Sequence, residues 1–107
     1  MTNELTPYIE YYSNGNVWSK GQKNSKGQRE GLWEWFYPNG NIDYKTPYKE
    51  GKKDGIEEWF YPNGNIKRRI QYKEDKRDGI EEIFDVKGNI TETCHWKNGK
   101  LIKTTEH

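Results

Sequence analysis

The sequence predicts an all-β fold, an elongated single-layer antiparallel meander of β-hairpins with about eight or nine strands. Three observations carry this expectation. The stretch GLWEWFYPNGNI that begins at Gly31 returns as GIEEWFYPNGNI at Gly55, 24 residues later. Two kinds of turn signal alternate with that period, and the segments between them have strand length and are rich in aromatic and branched side chains. No window holds a helical stripe, because Gly or Pro interrupts every candidate.

The period runs through most of the 107 residues. Gly31, Gly55 and Gly79 keep step, as do Gly40, Gly64 and Gly88; Phe36, Phe60 and Phe84; Ile42, Ile66 and Ile90; and Tyr48, Tyr72 and Trp96. A degenerate copy precedes them, with Tyr11, Gly15 and Val17 one residue out of phase. The chain therefore reads as one repeat domain, 1–107, with units of approximately 5–30, 31–54, 55–78 and 79–102 and a C-terminal half repeat.

Each unit holds a Tyr-Pro-Asn-Gly signal (37–40, 61–64) and a Lys-Glu-Gly or Lys-Asn-Gly signal (49–51, 97–99). Pro suits the second position of a type I turn and Gly the left-handed residue after it, so Pro38-Asn39-Gly40 is expected to be a three-residue hairpin loop. That loop pairs Phe36 with Ile42 and Glu34 with Tyr44, and a similar loop at Lys49-Glu50-Gly51 pairs Tyr48 with Lys52 and Tyr44 with Ile56. All recurrent apolar positions then share one face: Leu32, Ile56 and Ile80, the Phe and Ile files, and Tyr48, Tyr72 and Trp96. The register also sets Arg68 opposite Glu58 and, uncomfortably, Glu82 opposite Glu92. The glycines before Leu32, Ile56 and Ile80 are expected to leave gaps in which neighbouring rings lie flat.

Composition narrows the function classes. Eighteen Lys and Arg against 17 Asp and Glu give a net charge of +1, which does not suit a general nucleic-acid or membrane binder. A mean hydropathy of −1.34 leans toward disorder, but five Trp, eight Tyr and three Phe argue for a thin folded protein. The single cysteine, Cys94, excludes an internal disulfide. The start lacks a basic head and an apolar run, so a soluble cytoplasmic chain is the default expectation.

Catalysis is not expected. Glu34, Glu58 and Glu82 recur at equal spacing, which reads as a ladder and not as an acid–base pair in two different environments. Cys94 and His95 are adjacent in a strand and must point to opposite faces. No convergent set of metal ligands, phosphate loop or nucleophile elbow stands out, so no metal and no cofactor are expected.

The residues Gly31, Trp33, Phe36, Tyr37, Gly40, Tyr48, Gly51 and Gly55 resemble a MORN repeat, nearest to its bacterial variant. The second copy matches at Gly55, Phe60, Tyr61, Gly64, Tyr72 and Gly79. A third keeps Gly79, Phe84, Gly88, Trp96 and Gly99 but has Asp85 where a second aromatic is usual. The resemblance implies a single-layer array of hairpins that serves as a protein–protein scaffold. Some members are linked to phospholipids, and many of the bacterial variants carry an antitoxin label.

Two candidate surfaces follow. Trp33, Trp35, Tyr37, Trp59 and Tyr61 fall on the face opposite the recurrent apolar set, where aromatic anchors suit a protein partner or a second copy. Packing alone is the competing explanation, since a single-layer sheet needs aromatics on both faces. The alternative surface is a basic rim of Arg29, Lys52, Lys53, Lys76, Arg77 and Lys100, suited to anionic lipid or nucleic acid. Glu30, Asp54 and Asp78 run beside that rim and neutralise much of its field, which favours the protein partner.

Overall fold

A computed structural model describes residues 4–107. They form one ten-stranded antiparallel sheet, and none of the described residues is helical. The strands are β1 (Thr6–Tyr11), β2 (Val17–Lys23), β3 (Gly31–Phe36), β4 (Ile42–Lys49), β5 (Lys52–Lys53), β6 (Gly55–Phe60), β7 (Ile66–Lys73), β8 (Lys76–Phe84), β9 (Ile90–Lys97) and β10 (Lys100–Glu106). Each pairs with its sequence neighbours in an uncrossed meander, with the two-residue β5 attached to β4. The molecule measures 45 × 36 × 16 Å, one layer thick in its shortest direction.

Pro38-Asn39-Gly40 forms the expected three-residue loop. The Gly40 amide donates to the Tyr37 carbonyl at 2.9 Å, Gly40 sits at φ 93°, and Phe36 pairs with Ile42. Beyond that pair the register departs from expectation. Asp43 is an extra residue in a β-bulge, so Trp35, not Glu34, faces Tyr44. The same bulge recurs at Trp18, Lys67 and Thr91.

The second turn is also one residue different from expectation. Lys49 pairs with Lys52 around Glu50 (φ 51°) and Gly51 (φ 84°), and Tyr48 pairs with Lys53. Two consecutive left-handed residues define the tight type I′ turn, whose twist matches that of the flanking strands. Asn24–Gln28 makes a longer loop with one more residue, and this is where the degenerate copy before Gly31 slips out of phase.

A bulge followed by a shorter turn in each of the three later units reassigns the faces. Leu32, Ile56 and Ile80 stay with the Phe and Ile files on one side, called the outer face. Tyr48, Tyr72 and Trp96 move to the other side, the inner face, with Trp33, Trp35 and Trp59. The expected pairs of Arg68 with Glu58 and of Glu82 with Glu92 do not form. Arg69 faces Glu58, and Glu82 faces Thr93.

Both long sides of the sheet are fastened from one copy to the next. On one side the hydroxyls of Tyr12, Tyr37 and Tyr61 donate to the carbonyls of Phe36, Phe60 and Phe84, at 2.5 to 2.8 Å. Side-chain amides of Asn41 and Asn65 reach Pro62 and Val86 carbonyls in the same way. Asp85 replaces the tyrosine where no further Pro-Asn-Gly turn follows, and closes its own turn by accepting from the Lys87 and Asn89 amides. Those backbone donors, Asn89 first, hold its carboxyl below the ordinary value. On the opposite side the amides of Gly51, Asp75 and Gly99 donate to Arg29, Lys53 and Arg77 carbonyls.

Candidate functional site

Of the five aromatic residues expected to meet a partner, Trp33 and Trp35 are buried in the core, and Tyr37, Trp59 and Tyr61 are half-buried on the same face. Trp33 is 4% exposed and Trp35 8%. Ring centroids of Trp35 and Tyr44 are 4.4 Å apart at 11°, and those of Tyr44 and Trp59 4.1 Å apart at 14°. Trp33 joins the stack at 6.0 Å from Trp35. Such pairs contribute about 0.5–1.5 kcal/mol each beyond the area they bury. Tyr37 and Tyr61 are half-buried and already spend their hydroxyls on the next copy. Partial burial, followed by the neighbouring Asp43 carboxylate, raises Tyr37 above its usual 10.0, which keeps the phenol a donor.

A glycine makes room for this packing, though not one of those expected. Gly21 lies beneath the Trp33 indole, where an added Cβ would overlap the ring carbons. Gly55, by contrast, faces the Pro47 ring, and its φ of 122° excludes most other residues.

The buried row of the inner face runs Trp33, Thr46, Glu57, Ile70, Glu81, Cys94 across six strands. Copies two and three therefore bury a carboxylate where copy one buries an indole. Glu57 accepts from Lys53 Nζ at 2.7 Å, Thr46 Oγ1 at 2.7 Å and Trp59 Nε1 at 2.8 Å. Burial opposes its ionisation, but these three donors together outweigh burial and hold the carboxyl below its ordinary 4.5. Lys53 is raised for the matching reason: burial lowers it, and the bond to Glu57 outweighs that. Glu81 is held by Arg68 Nε at 3.0 Å, Arg77 at 3.4 Å and Trp96 Nε1 at 2.8 Å.

The expected basic rim divides into two. Arg29, Lys53 and Arg77 belong to the inner face as lids over rings and carboxylates. The Arg29 guanidinium lies 4.9 Å from the Trp33 ring centre and donates to the Tyr48 hydroxyl at 3.1 Å. Lys53 covers Tyr72 at 4.9 Å, and Arg77 covers Trp96 at 4.8 Å. Lys52, Lys76 and Lys100 remain exposed at the tight turns, each paired across its turn with Lys49, Lys73 or Lys97.

On the outer face the glutamate ladder acquires a role that the parity of the sequence had hidden. Lys20, Glu34, Lys45, Glu58, Arg69 and Glu82 follow one another across β2, β3, β4, β6, β7 and β8, alternating in sign at every strand. Ion-pair distances include 3.9 Å for Lys20–Glu34, 3.6 Å for Lys45–Glu58, 3.5 Å for Glu58–Arg69 and 3.1 Å for Arg69–Glu82. Exposed pairs contribute only about 0–1 kcal/mol each, yet a slip in register would set like charges together. Lys20, Lys45 and Arg69 also lie over Phe36, Phe60 and Phe84, at 5.7 to 5.8 Å. Beside the ladder, Leu32, Ile56 and Ile80 are 47%, 44% and 43% exposed.

Among the described residues no three His, Cys, Asp or Glu side chains cluster at metal-binding distance. Cys94 is buried on the inner face while His95 is exposed on the outer one, so they form no dyad. No helix of the described residues is long and apolar enough to cross a membrane.

A family model described as MORN repeat variant matches residues 7–22, 29–50 and 53–74, more than half of the chain. The chain belongs to the MORN repeat-variant family. No curated protein is detectably similar in sequence. The matched MORN segments end before β8, yet β8, β9 and β10 continue the same meander, and the β8–β9 hairpin repeats the bulge and its register. MORN repeats suggest a binding module built from stacked hairpins, and the inner face shows what holds this one together.

Proposed function

We propose that the chain is a non-enzymatic docking module that binds a protein partner through its outer face. The observation that carries the reading is the file of Leu32, Ile56 and Ile80, roughly half exposed and evenly spaced beside an ordered ionic ladder. An apolar file flanked by polar groups fits the core-and-rim anatomy of protein interfaces. The inner aromatics support the site from behind by keeping the strands in register. An antitoxin or immunity role would be one use of such a surface and rests on the family resemblance alone. Replacing Leu32, Ile56 and Ile80 together by Ser tests the reading. Proteins captured from the native cell should be lost, with the β-sheet circular dichroism unchanged; retained capture sinks it.

The exposed lysine pairs at the tight turns favour a second reading, anionic lipid or nucleic acid at that edge. Binding of anionic vesicles or oligonucleotides that falls steeply with salt, and is lost when Lys52, Lys76 and Lys100 become Ser, would select it over the outer face.

A further inference from the structure

We propose that the outer face pairs with the outer face of a second copy, as two sheets stacked about a two-fold axis that runs parallel to the strands between β4 and β6. This rests on the outer face being the docking surface and names its occupant.

The argument is charge complementarity. The ladder Lys20, Glu34, Lys45, Glu58, Arg69, Glu82 reads plus, minus, plus, minus, plus, minus, so its reversal is its own complement. A two-fold axis parallel to the strands reverses strand order and leaves position along the strands unchanged. It sets Lys45 over the partner's Glu58 and Glu34 over the partner's Arg69. A two-fold axis across the strands would set like charge on like, which costs several kcal/mol at an interface. Every charge keeps its neighbours within the sheet and gains one of opposite sign, so none is buried unpaired.

Beside the axis the same operation suits the rows on either side, while farther out it sets Leu32 over the partner's Gln71. Ile56 meets the partner's Pro47, which pairs with Leu32 on the same face, and Phe60 meets the partner's Ile42, so a large ring lies over a smaller side chain. These contacts lie nearest the axis, where the angle of about 30° between aligned sheets displaces groups least. Six strands about 4.8 Å apart and about seven residues of 3.3 Å enclose about 700 Å² per copy, close to the roughly 800 Å² per partner of a standard interface.

Sedimentation equilibrium over a concentration series, with a charge-swap pair, tests the proposal. The wild type should move from 12.8 kDa toward twice that mass. Lys45→Glu and Glu58→Lys should each weaken pairing about tenfold or more, since each sets like charge on like at the centre. Mixed together, the two variants should restore it, because each altered charge then meets its opposite across the axis. Ile56→Asp, at a half-exposed position, should weaken pairing without rescue by either variant. Circular dichroism and melting confirm that each variant is folded. A wild type that stays monomeric, or singles that pair undiminished, overturns self-pairing. So does a mixture that fails to recover. If the triple serine variant still loses its captured protein in that case, docking through this face stands and its occupant is a different protein.

Discussion

Leu32 and Trp33 are neighbours in sequence and stand on opposite sides of β3; one is 47% exposed and the other 4%. The outer face carries the recurrent aliphatics and an ionic ladder, and stays half open. The inner face carries Trp33, Trp35 and Trp59, and its central row is buried although no second layer of the described residues covers it. A single sheet buries a side chain only when its neighbours on the same face lie across it. Large flat rings over glycine can do that, as Trp33 does over Gly21. Branched aliphatics spaced two strands apart cannot. Recurrence of an apolar residue in a thin repeat protein therefore does not identify its core.

The largest expected effect tests this contrast directly. Trp33→Ala should cost about 3–5 kcal/mol in urea unfolding, whereas Leu32→Ala should cost about 1 kcal/mol or less. Equal losses would mean that the two faces share the core equally. Next comes the buried carboxylate. Glu57→Ala leaves Lys53, Thr46 and the Trp59 indole without their acceptor and should cost about 3 kcal/mol.

The same group sets an acid limit. The folded pKa of Glu57 lies below its unfolded value, so its contribution is present above 4.5 and is lost as pH falls through the folded value. Glu57→Gln should flatten the stability profile in that window, and an unchanged profile would remove Glu57 as the cause. Lys53 has the opposite sign. Its contribution holds at lower pH and is lost only as pH rises through a folded value above 10.5.

Gly21→Ala comes third, at about 1–3 kcal/mol, because the Trp33 ring must shift to admit the methyl group. Loss of near-ultraviolet tryptophan dichroism should accompany it. The smallest effect concerns the fastening between copies. Tyr61→Phe removes one donor to the Phe84 carbonyl and should lower stability by about 0.5–1.5 kcal/mol, with the slope of the denaturant curve unchanged.

Much of the fold was legible because turn chemistry is local. Pro38 fixes φ and so commits the following Asn39-Gly40 to the three-residue loop. Asn98-Gly99 makes the tighter I′ turn, with Lys97 paired to Lys100, whereas Val86-Lys87-Gly88 forms the three-residue loop although it too lacks a proline. The unread bulges put Tyr48, Tyr72 and Trp96 on the wrong face, and reading both signals as one turn type cancelled that error for Ile56 and Ile80. The bulge residues Asp43, Lys67 and Thr91 share no side-chain character, so nothing local announced them. Tyr44, which joins Trp35 to Trp59, and the cations of the ladder were missed for that reason. Trp33 and Trp35 were legible as a pair because alternation within a strand survives an error in register between strands, and Trp59 joined them because the bulge and the shorter turn cancel between β3 and β6.

By itself the sequence determined the period, the meander, the loop at each Pro-Asn-Gly and the grouping of the tryptophans, all of which rest on interactions a few residues long. The tertiary structure alone decided which face closes, which cation covers which ring, and that Glu34, Glu58 and Glu82 stand between positive neighbours. Those outcomes turn on the pairing between strands. One extra residue in a bulge exchanges the two faces of the strand that follows it, until a turn one residue shorter restores them.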